Sequence, residues 1–297
     1  MKIGFIGCVQ LSKIALNTLF HMNPAGVHVV AVITKEESNF NSDHVNLSPL
    51  CKEHNVPVHF EGAGDQEQSL VFMKNHEPDV IFCFGWSRLL SQDFLALPKL
   101  GVIGFHPAKL PQNRGRHPII WALALGLEET ASTFFKMDKG VDSGPILSQV
   151  DIKIDFTDDA GSLYKKVMLT AEQQIICFTK QLFNGSAEFK IQDDCKVNYW
   201  RKRSHQDGVI DWRMPAEGIY NLIRALVKPY PGAEIIYKEN IFKVWKSRIY
   251  NKKTPKKIES GCIIAIAGSD LLVKCANESA LWLLDVDLRE VKVGEYL

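Results

Sequence analysis

The sequence has almost no excess of charge of either sign. Its 297 residues include 35 Lys plus Arg and 34 Asp plus Glu, which gives a formal net charge of +1. A protein that holds a polyanion such as tRNA usually presents a broad positive field, and this charge balance provides none. A small anion can still bind a local basic cluster. With 46% hydrophobic residues, the chain can bury the core of one large domain or of two smaller ones.

Cysteine pairs and long apolar runs are also missing. The seven cysteines are odd in number, form no C-x-x-C pair and are scattered over positions 8, 51, 83, 177, 195, 262 and 275. This spacing argues against a disulfide framework and a zinc knuckle, and it suits a reducing compartment. The sequence has no apolar run long enough for a membrane helix and no signal-peptide cleavage pattern. We therefore expect a cytoplasmic protein with no membrane contact and no bound metal.

Strand-like and helix-like segments alternate in the first half of the sequence. Apolar, β-rich runs occur at residues 2–8, 27–34, 79–86 and 101–106. Helical spacing in SKIALNTLF and QEQSLVFMKNH separates some of them, which predicts a doubly wound, mostly parallel α/β sheet with ligands at the carboxyl ends of its strands. The dinucleotide fingerprint G-x-G-x-x-G is absent, because Gly4 and Gly7 are followed by CVQLS. We interpret these glycines as allowing close strand–helix packing.

The pattern changes after about residue 205. A long helix is predicted from Ser162 to Phe183, and an Asn-Gly pair follows it as a stop signal. A second helix at 216–226 leads into short β-like runs separated by polar turns. Such runs are typical of a small barrel or sandwich. We expect a larger α/β domain over residues 1–204 and a smaller, OB-like β-barrel domain over residues 205–297.

His106 is the first candidate for chemistry, because it lies at the carboxyl end of a predicted strand. A lone histidine is more often a packing or surface residue, but Asp142 in the glycine-rich loop MDKGVDSGP offers it a carboxylate. A carboxylate beside one imidazole nitrogen would fix the tautomer, and the other nitrogen would accept a proton from a nucleophile. The sequence has no G-x-S-x-G elbow, so the nucleophile is expected to be a substrate amine or water.

Four motifs follow one another in the order known from one family. They are HPAKLPQNRG at 106–115, MDKGVDSGPIL at 137–147, RKRSHQDGVIDW at 201–212 and IRALVKPYPGA at 223–233. The chain thereby resembles the folate-dependent N-formyltransferases, which include methionyl-tRNA formyltransferase and the nucleotide-sugar N-formyltransferases. Its end, residues 261–286, is similar to the small C-terminal β domain of the family. The resemblance implies a Rossmann-like formyltransferase catalytic domain at 1–204 and N10-formyltetrahydrofolate as cosubstrate.

The resemblance also implies a catalytic site. In this family an Asn-x-His and an Asp in a D-x-G-x-D-[ST]-G loop surround the formyl carbon, which makes His106 the general base or proton shuttle and Asp142 its orienting partner. At the position of the asparagine this chain has Gly104. Loss of one oxyanion donor typically costs roughly 10²- to 10³-fold in rate. We expect a replacement donor in the room that Gly104 leaves: a backbone N–H, a water, Asn113 or His117.

The folate is expected along two loops. FGWSRLL at 84–90 is similar to the segment whose backbone reads the pterin edge, which implies contacts by Trp86, Arg88 and Leu89. Asp138 and Gly140 are expected to border the same pocket. Trp86 can equally be a core residue.

The acceptor is expected to be the primary amine of a nucleotide-linked amino-deoxy sugar, dTDP- or UDP-linked, used for surface glycans or nonulosonic acids. A tRNA enzyme should carry a basic arm after the second strand, whereas here Lys35 is outnumbered by Glu36, Glu37 and Asp43. A diphosphate needs few donors, and Arg116 falls where a related amino-arabinose formyltransferase places a substrate-contacting arginine. The candidate substrate residues are Lys109, Arg114, Arg116 and Tyr230.

Several alternatives stay open at this level. Arg114 can stabilise its own loop instead of binding substrate. The acceptor can be initiator methionyl-tRNA, or water in a formyl-folate hydrolase. A non-catalytic folate- or nucleotide-binding module is suggested by Gly104 alone. A homodimer is compatible with the family, since several sugar-modifying relatives pair through a C-terminal domain.

Overall fold

The computed structural model of the chain describes residues 1–22, 26–38, 42–62 and 65–297. Residues 39–41, part of the acidic segment that argues against tRNA, lie outside the described residues. The chain divides into two compact units. The first consists of Met1–Gly115, Ala131–Ile152 and Lys165–Tyr199, and the second of Arg116–Thr130, Lys153–Tyr164 and Trp200–Leu297. The second unit thus includes two segments that precede residue 204, and the single boundary at that residue stays a prediction.

The first two thirds of the chain alternate strands and helices. The strands are β1 (Lys2–Ile6), β2 (His28–Thr34), β3 (Val58–Phe60), β4 (Val80–Cys83), β5 (Val102–His106), β6 (Arg114–Gly115), β7 (Glu129–Lys136) and β8 (Ile146–Lys153). The helices are α1 (Gln10–Met22), α2 (Ser48–Glu53), α3 (Gln66–Asn75), α4 (Gln92–Ala96), α5 (Pro118–Ala124) and α6 (Ala160–Asn184). The predicted βαβ units and the predicted long helix are therefore confirmed.

The first sheet has seven strands in the order β3-β2-β1-β4-β5-β7-β8. Parallel pairs join β3 to β2, β2 to β1, β1 to β4 and β4 to β5. The doubly wound, mostly parallel α/β sheet is thereby confirmed. The sequence did not foresee the antiparallel pairing of β5 with β7. This sheet brings the carboxyl ends of β1, β4 and β5 to one edge, where ligands of such folds bind.

Aromatic side chains fix the strands that end at this edge. The ring centroids of Phe84 and Phe134 are 5.1 Å apart, and those of Phe134 and Phe178 of α6 are 4.8 Å apart. Phe105 adds a contact with Phe134 at 4.8 Å. Because side chains alternate along a strand, Phe105 anchors β5 on the face opposite to the neighbouring His106. Each aromatic pair contributes about 0.5–1.5 kcal/mol beyond the burial of its area.

The C-terminal part of the chain forms a second, smaller sheet. After β9 (Tyr199–Trp200), the elements are α7 (Ala216–Leu226), β10 (Ala233–Tyr237), β11 (Asn240–Ile249), β12 (Ile263–Ala267), β13 (Asp270–Lys274) and β14 (Ala280–Val286). The last five strands form an antiparallel sheet in the order β10-β11-β14-β13-β12, and α7 packs on β11. This confirms the predicted small β domain with its leading helix. None of the helices in the described part of the chain combines the length and apolar character that crossing a membrane requires.

Candidate active site

His106 ends β5 with both ring nitrogens facing polar groups. Its Nε2 lies 2.7 Å from the backbone carbonyl oxygen of Asn113. A carbonyl oxygen only accepts hydrogen bonds, so Nε2 carries the proton and donates it. In the neutral ring, Nδ1 is then left with the lone pair. The geometry therefore makes Nδ1 the atom that accepts a proton.

Asp142 faces that same nitrogen. Its Oδ2 lies 3.6 Å from Nδ1 of His106, with side-chain exposures of 6% for the histidine and 19% for the aspartate. Oδ2 also accepts a hydrogen bond from the backbone N–H of Gly115 at 2.9 Å. A carboxylate so placed stabilises the imidazolium that forms once Nδ1 takes a proton. The structure thus brings together the two residues that the sequence analysis paired.

The tautomer of His106 is determined by a group that the sequence analysis did not assign to this role. The carboxylate was expected on one nitrogen and the proton acceptor on the other. Instead, the Asn113 carbonyl holds Nε2, and Asp142 and the incoming proton share the Nδ1 side. Asn113 has a φ of 62°, in the left-handed region that non-glycine residues seldom adopt. Asn113 adopts this conformation in the turn that directs its carbonyl oxygen toward the His106 ring.

Short-range contacts shape the loop at 137–145. Oδ1 of Asp138 accepts hydrogen bonds from the Gly140 N–H at 2.9 Å and from the Ser143 hydroxyl at 2.6 Å. A Cβ added at Gly140 would lie 2.1 Å from the Ser143 hydroxyl oxygen. Asp138 and Gly140, expected at the folate pocket, thus have a structural role in forming the loop that carries Asp142.

Replacing Gly144 with alanine is expected to lower the free energy of unfolding by about 1–3 kcal/mol, through overpacking. The added Cβ would lie 1.7 Å from the carbonyl oxygen of Lys136, a backbone atom that cannot rotate away. Gly62→Ala is the control, because its added Cβ meets nothing within 4 Å. Urea denaturation measures both variants. Equal stability of the two would contradict the close packing of the loop against β7.

The space beside Gly104 is filled. A Cβ added there would lie 2.8 Å from Cγ and 3.2 Å from Sδ of Met137, and 3.1 Å from the Phe135 ring. The room expected for a replacement donor is therefore taken by apolar side chains. Asn113, one candidate donor, pairs its side-chain oxygen with the Asn198 amide at 3.1 Å. A methionine fills irregular space adaptably, which suits Met137 to this narrow gap.

The loop after β4 holds the other expected folate contacts. Trp86 packs against the apolar cluster that includes Ile81 and Cys83, and the Lys35 ammonium lies 4.8 Å from its ring centroid. Within the described residues, its buried indole Nε1 has no hydrogen-bond partner. Arg88 donates to the Gly62 carbonyl at 3.1 Å and to Glu61 at 3.3 Å.

Leu89 lies next to Arg88 and is 69% exposed. Its carbonyl oxygen accepts a hydrogen bond from the Gln66 side chain at 3.0 Å. The two chain neighbours therefore differ, since Arg88 is tied to the protein while the Leu89 side chain is open to solvent.

The predicted substrate residues fall into different surroundings. Lys109 forms an ion pair with Asp151 at 2.8 Å. Arg114 is buried, and its guanidinium donates to Gln192 at 2.8 and 3.2 Å and to the Tyr199 hydroxyl at 3.2 Å. These contacts favour the alternative in which Arg114 stabilises its own loop.

Arg116, His117 and Tyr230 belong to the second unit. His117 accepts a hydrogen bond at Nδ1 from the Arg203 backbone N–H at 3.3 Å. Burial lowers the pKa of His117, and the nearby positive charges of Arg116, Arg203 and Lys202 lower it further. Arg116 therefore lies in a locally basic region, as an anion-binding arginine requires.

Two groups at the candidate site were not predicted from the sequence. The Asn113 carbonyl is a backbone group, which no side-chain pattern reveals. Gln192 lies in the polar stretch IQDD, and its contact with Arg114 joins residues 78 positions apart. For the Asn113 carbonyl, the only signal in the sequence is the run QNRG at 112–115, because Asn tolerates the left-handed backbone that a tight turn needs.

Two family models match most of the chain. The model described as Formyl transferase matches residues 3–179, and the model described as Formyl transferase, C-terminal domain, matches residues 202–295. The matched segments cover both sheets and include His106 and Asp142.

Individual proteins are similar over the whole chain. A bifunctional polymyxin resistance protein ArnA from Wigglesworthia glossinidia brevipalpis is 35% identical over 94% of this chain, which spans 40% of that relative's length. A methionyl-tRNA formyltransferase from Caldanaerobacter subterraneus subsp. tengcongensis is 32% identical over 100% of this chain and 96% of its own. An N-formyltransferase from Helicobacter canadensis, crystallised with folinic acid and dTDP-3-aminofucose, superimposes with a TM-score of 0.74. It is 17% identical over 95% of this chain and 98% of its own, which shows a shared fold.

Proposed function

The chain belongs to the formyl transferase family, and we propose that it transfers the formyl group of N10-formyltetrahydrofolate to the primary amine of a nucleotide-linked amino-deoxy sugar. The observation that carries the proposal is the arrangement at the end of β5. Nδ1 of His106 faces Oδ2 of Asp142 at 3.6 Å, while the Asn113 carbonyl holds Nε2 at 2.7 Å. Formyl transfer to an amine needs a base of this kind, because the attacking nitrogen must lose a proton.

The chain's own residues handle the proton. Neutral His106 accepts it at Nδ1, and Asp142 stabilises the resulting imidazolium across 3.6 Å. The Asn113 carbonyl keeps the ring from rotating and holds the second proton on Nε2. The cosubstrate would supply the one-carbon group as an N-formyl. The proton held on Nδ1 of His106 then goes to the leaving nitrogen of the cosubstrate, whose bond to the formyl carbon breaks as the new bond to the acceptor amine forms. The deep position of the histidine, 4% exposed, keeps competing water from the base.

The loop after β4 fits a bound pterin. The indole N–H of Trp86 is a buried donor that lacks a partner in the described part of the chain. Buried donors normally have partners, and an orphaned one at a strand end fits a site that a ligand completes. Arg88 and the loop of Asp138 would border this ligand.

The sugar assignment is supported by relatives and by charge. ArnA, 35% identical, is a polymyxin resistance protein, and the Helicobacter enzyme was crystallised with dTDP-3-aminofucose. The segment after β2 is acidic, with Glu36, Glu37 and Asp43 against Lys35. An acidic segment at this edge disfavours a polyanionic tRNA acceptor stem. Arg116 in its basic surroundings is the residue that we assign to the diphosphate.

Methionyl-tRNA is the second candidate acceptor. The Caldanaerobacter enzyme is matched over 96% of its length, so nearly the whole of that methionyl-tRNA formyltransferase has a counterpart here. The basic side chains of Arg116, Lys202 and Arg203 around His117 would suit a phosphate backbone as well as a diphosphate.

One assay separates these acceptors. The protein is mixed with formyl-folate and with a panel of dTDP- and UDP-linked amino sugars, and in parallel with charged initiator tRNA, and the products are weighed by mass spectrometry. We expect formyl gain on an amino sugar. Formyl gain on charged tRNA alone would establish the second candidate, release of formate alone a hydrolase, and no change a binding module.

A further inference from the structure

One buried glutamine connects the two loops that surround His106. We propose that Gln192 is a positioning residue of the reaction, which holds Asp142 against His106 by tying the loop at 137–145 to Arg114. The inference rests on the proposed function. Gln192 is 7% exposed, although the adjacent Ile191 is 82% exposed. Gln192 is thus a buried polar side chain within an otherwise exposed segment.

The amide of Gln192 uses its full hydrogen-bonding capacity. Its Nε2 donates to the carbonyl oxygens of Asp142 at 2.9 Å and Gly144 at 2.7 Å. Its Oε1 accepts from Nε and Nη2 of Arg114 at 3.2 and 2.8 Å. A glutamine amide offers two donated protons and two lone pairs, so all four are satisfied. Turning the amide over would set donors against donors and acceptors against acceptors, which fixes its orientation.

Arg114 carries the connection to the histidine. Its chain neighbours are Asn113, whose carbonyl accepts from His106 Nε2, and Gly115, whose N–H donates to Asp142 Oδ2. The guanidinium is buried, which holds the backbone of this loop in place. Gln192 is therefore hydrogen-bonded to Asp142 itself and to Arg114, the residue between the two backbone groups that contact His106 and Asp142.

Asp142 needs such support. Its φ of 51° lies in the left-handed region, where a non-glycine residue persists only when its surroundings impose the conformation. The hydrogen bond from Gln192 to its carbonyl is part of that constraint. Because a displacement of about 1 Å in a catalytic group can cost roughly 10²-fold in rate, a small relaxation of this loop is enough to matter.

Gln192→Met and Gln192→Glu test the proposal. Methionine removes all four hydrogen bonds, whereas glutamate still accepts from Arg114 but turns a carboxylate oxygen toward the carbonyl oxygens of Asp142 and Gly144, which repel it. We expect kcat to fall by about 10- to 100-fold in both variants, with the KM of both substrates changed less than about threefold.

Gln174→Met is the matched control. Gln174 is also a buried glutamine, and its amide donates to the Ser132 carbonyl at 3.1 Å and the Ser148 hydroxyl at 2.8 Å. Its loss should lower stability like that of Gln192 but leave kcat near wild type. If both Gln192 variants keep the kcat of Gln174→Met, the proposal is overturned.

Hydrogen exchange at the Gly115 amide gives a readout that needs no acceptor. This amide donates to Asp142 Oδ2 at 2.9 Å. We expect it to exchange at least about 10-fold faster in Gln192→Met and unchanged in Gln174→Met. Unchanged exchange in Gln192→Met and Gln192→Glu would contradict the positioning role. Inactivity of the wild-type protein on every nucleotide sugar would instead count against the proposed acceptor, and the exchange data would still decide the role of Gln192.

Discussion

Replacing His106 with glutamine is expected to lower kcat/KM for formyl transfer by about 10²- to 10⁴-fold, the range for loss of a general base. Glutamine can still donate a hydrogen bond to the Asn113 carbonyl, which His106 contacts at 2.7 Å, so this buried acceptor need not be left unpaired. What disappears is the lone pair of Nδ1 opposite Asp142. Steady-state kinetics with formyl-folate and the active acceptor measure the loss.

His76→Gln is the control for this substitution. His76 contacts the Phe72 carbonyl through Nδ1 at 2.8 Å and has no contact with the loops around His106 among the described residues. Its activity should stay near wild type. A His106→Gln protein within about threefold of His76→Gln would remove His106 from the mechanism.

Replacing Asp142 with asparagine is expected to lower kcat by roughly 10²- to 10³-fold while changing the fold little. The amide oxygen can keep the hydrogen bond from Gly115, but it carries no charge to stabilise the imidazolium. At 3.6 Å and an effective dielectric constant near 20, that attraction amounts to about 4–5 kcal/mol before desolvation is subtracted. The loss should fall on kcat, because the charge on His106 develops only during the reaction.

Asp93→Asn serves as the matched control, since Asp93 is an exposed carboxylate in the first turn of α4. Circular dichroism should show both variants folded. An Asp142→Asn enzyme with a raised KM and an unchanged kcat would assign Asp142 to substrate binding and contradict its role beside the base.

The sequence alone was sufficient to predict where on the sheet the candidate site lies. The apolar run ending at His106 predicted a strand end, and parallel strands gather their carboxyl ends at one edge. The β-rich runs after residue 205 likewise predicted the second sheet, because short strand-like segments separated by polar turns are typical of a small antiparallel β domain. The glycine-rich loop at 137–145 already offered Asp142 as a partner, but 36 positions separate it from His106 and no periodicity links them, so the family resemblance gave the stronger ground for the pair.

The other residues of the candidate site are placed by contacts between distant segments, which the sequence pattern does not encode. Met137 fills the space beside Gly104, a close approach of two chain segments that only coordinates reveal. From the motif LPQNRG, Arg114 was predicted to bind an anionic group of the substrate. In the structure its guanidinium is buried and donates hydrogen bonds to the Gln192 amide oxygen. A residue's type states which hydrogen bonds it can make, but its partner is set by packing between distant segments.

The central claim is that His106 and Asp142 act as one unit in formyl transfer, and a double-mutant cycle of single-turnover rates tests it most directly. With the acceptor that the mass-spectrometric assay identifies, the rate is measured for the wild type, His106→Gln, Asp142→Asn and the double variant. We predict that the double variant is slower than His106→Gln by less than about threefold, since the carboxylate has no imidazolium left to stabilise. A double variant whose loss equals the product of the two single losses would show that the residues act independently and would contradict the account.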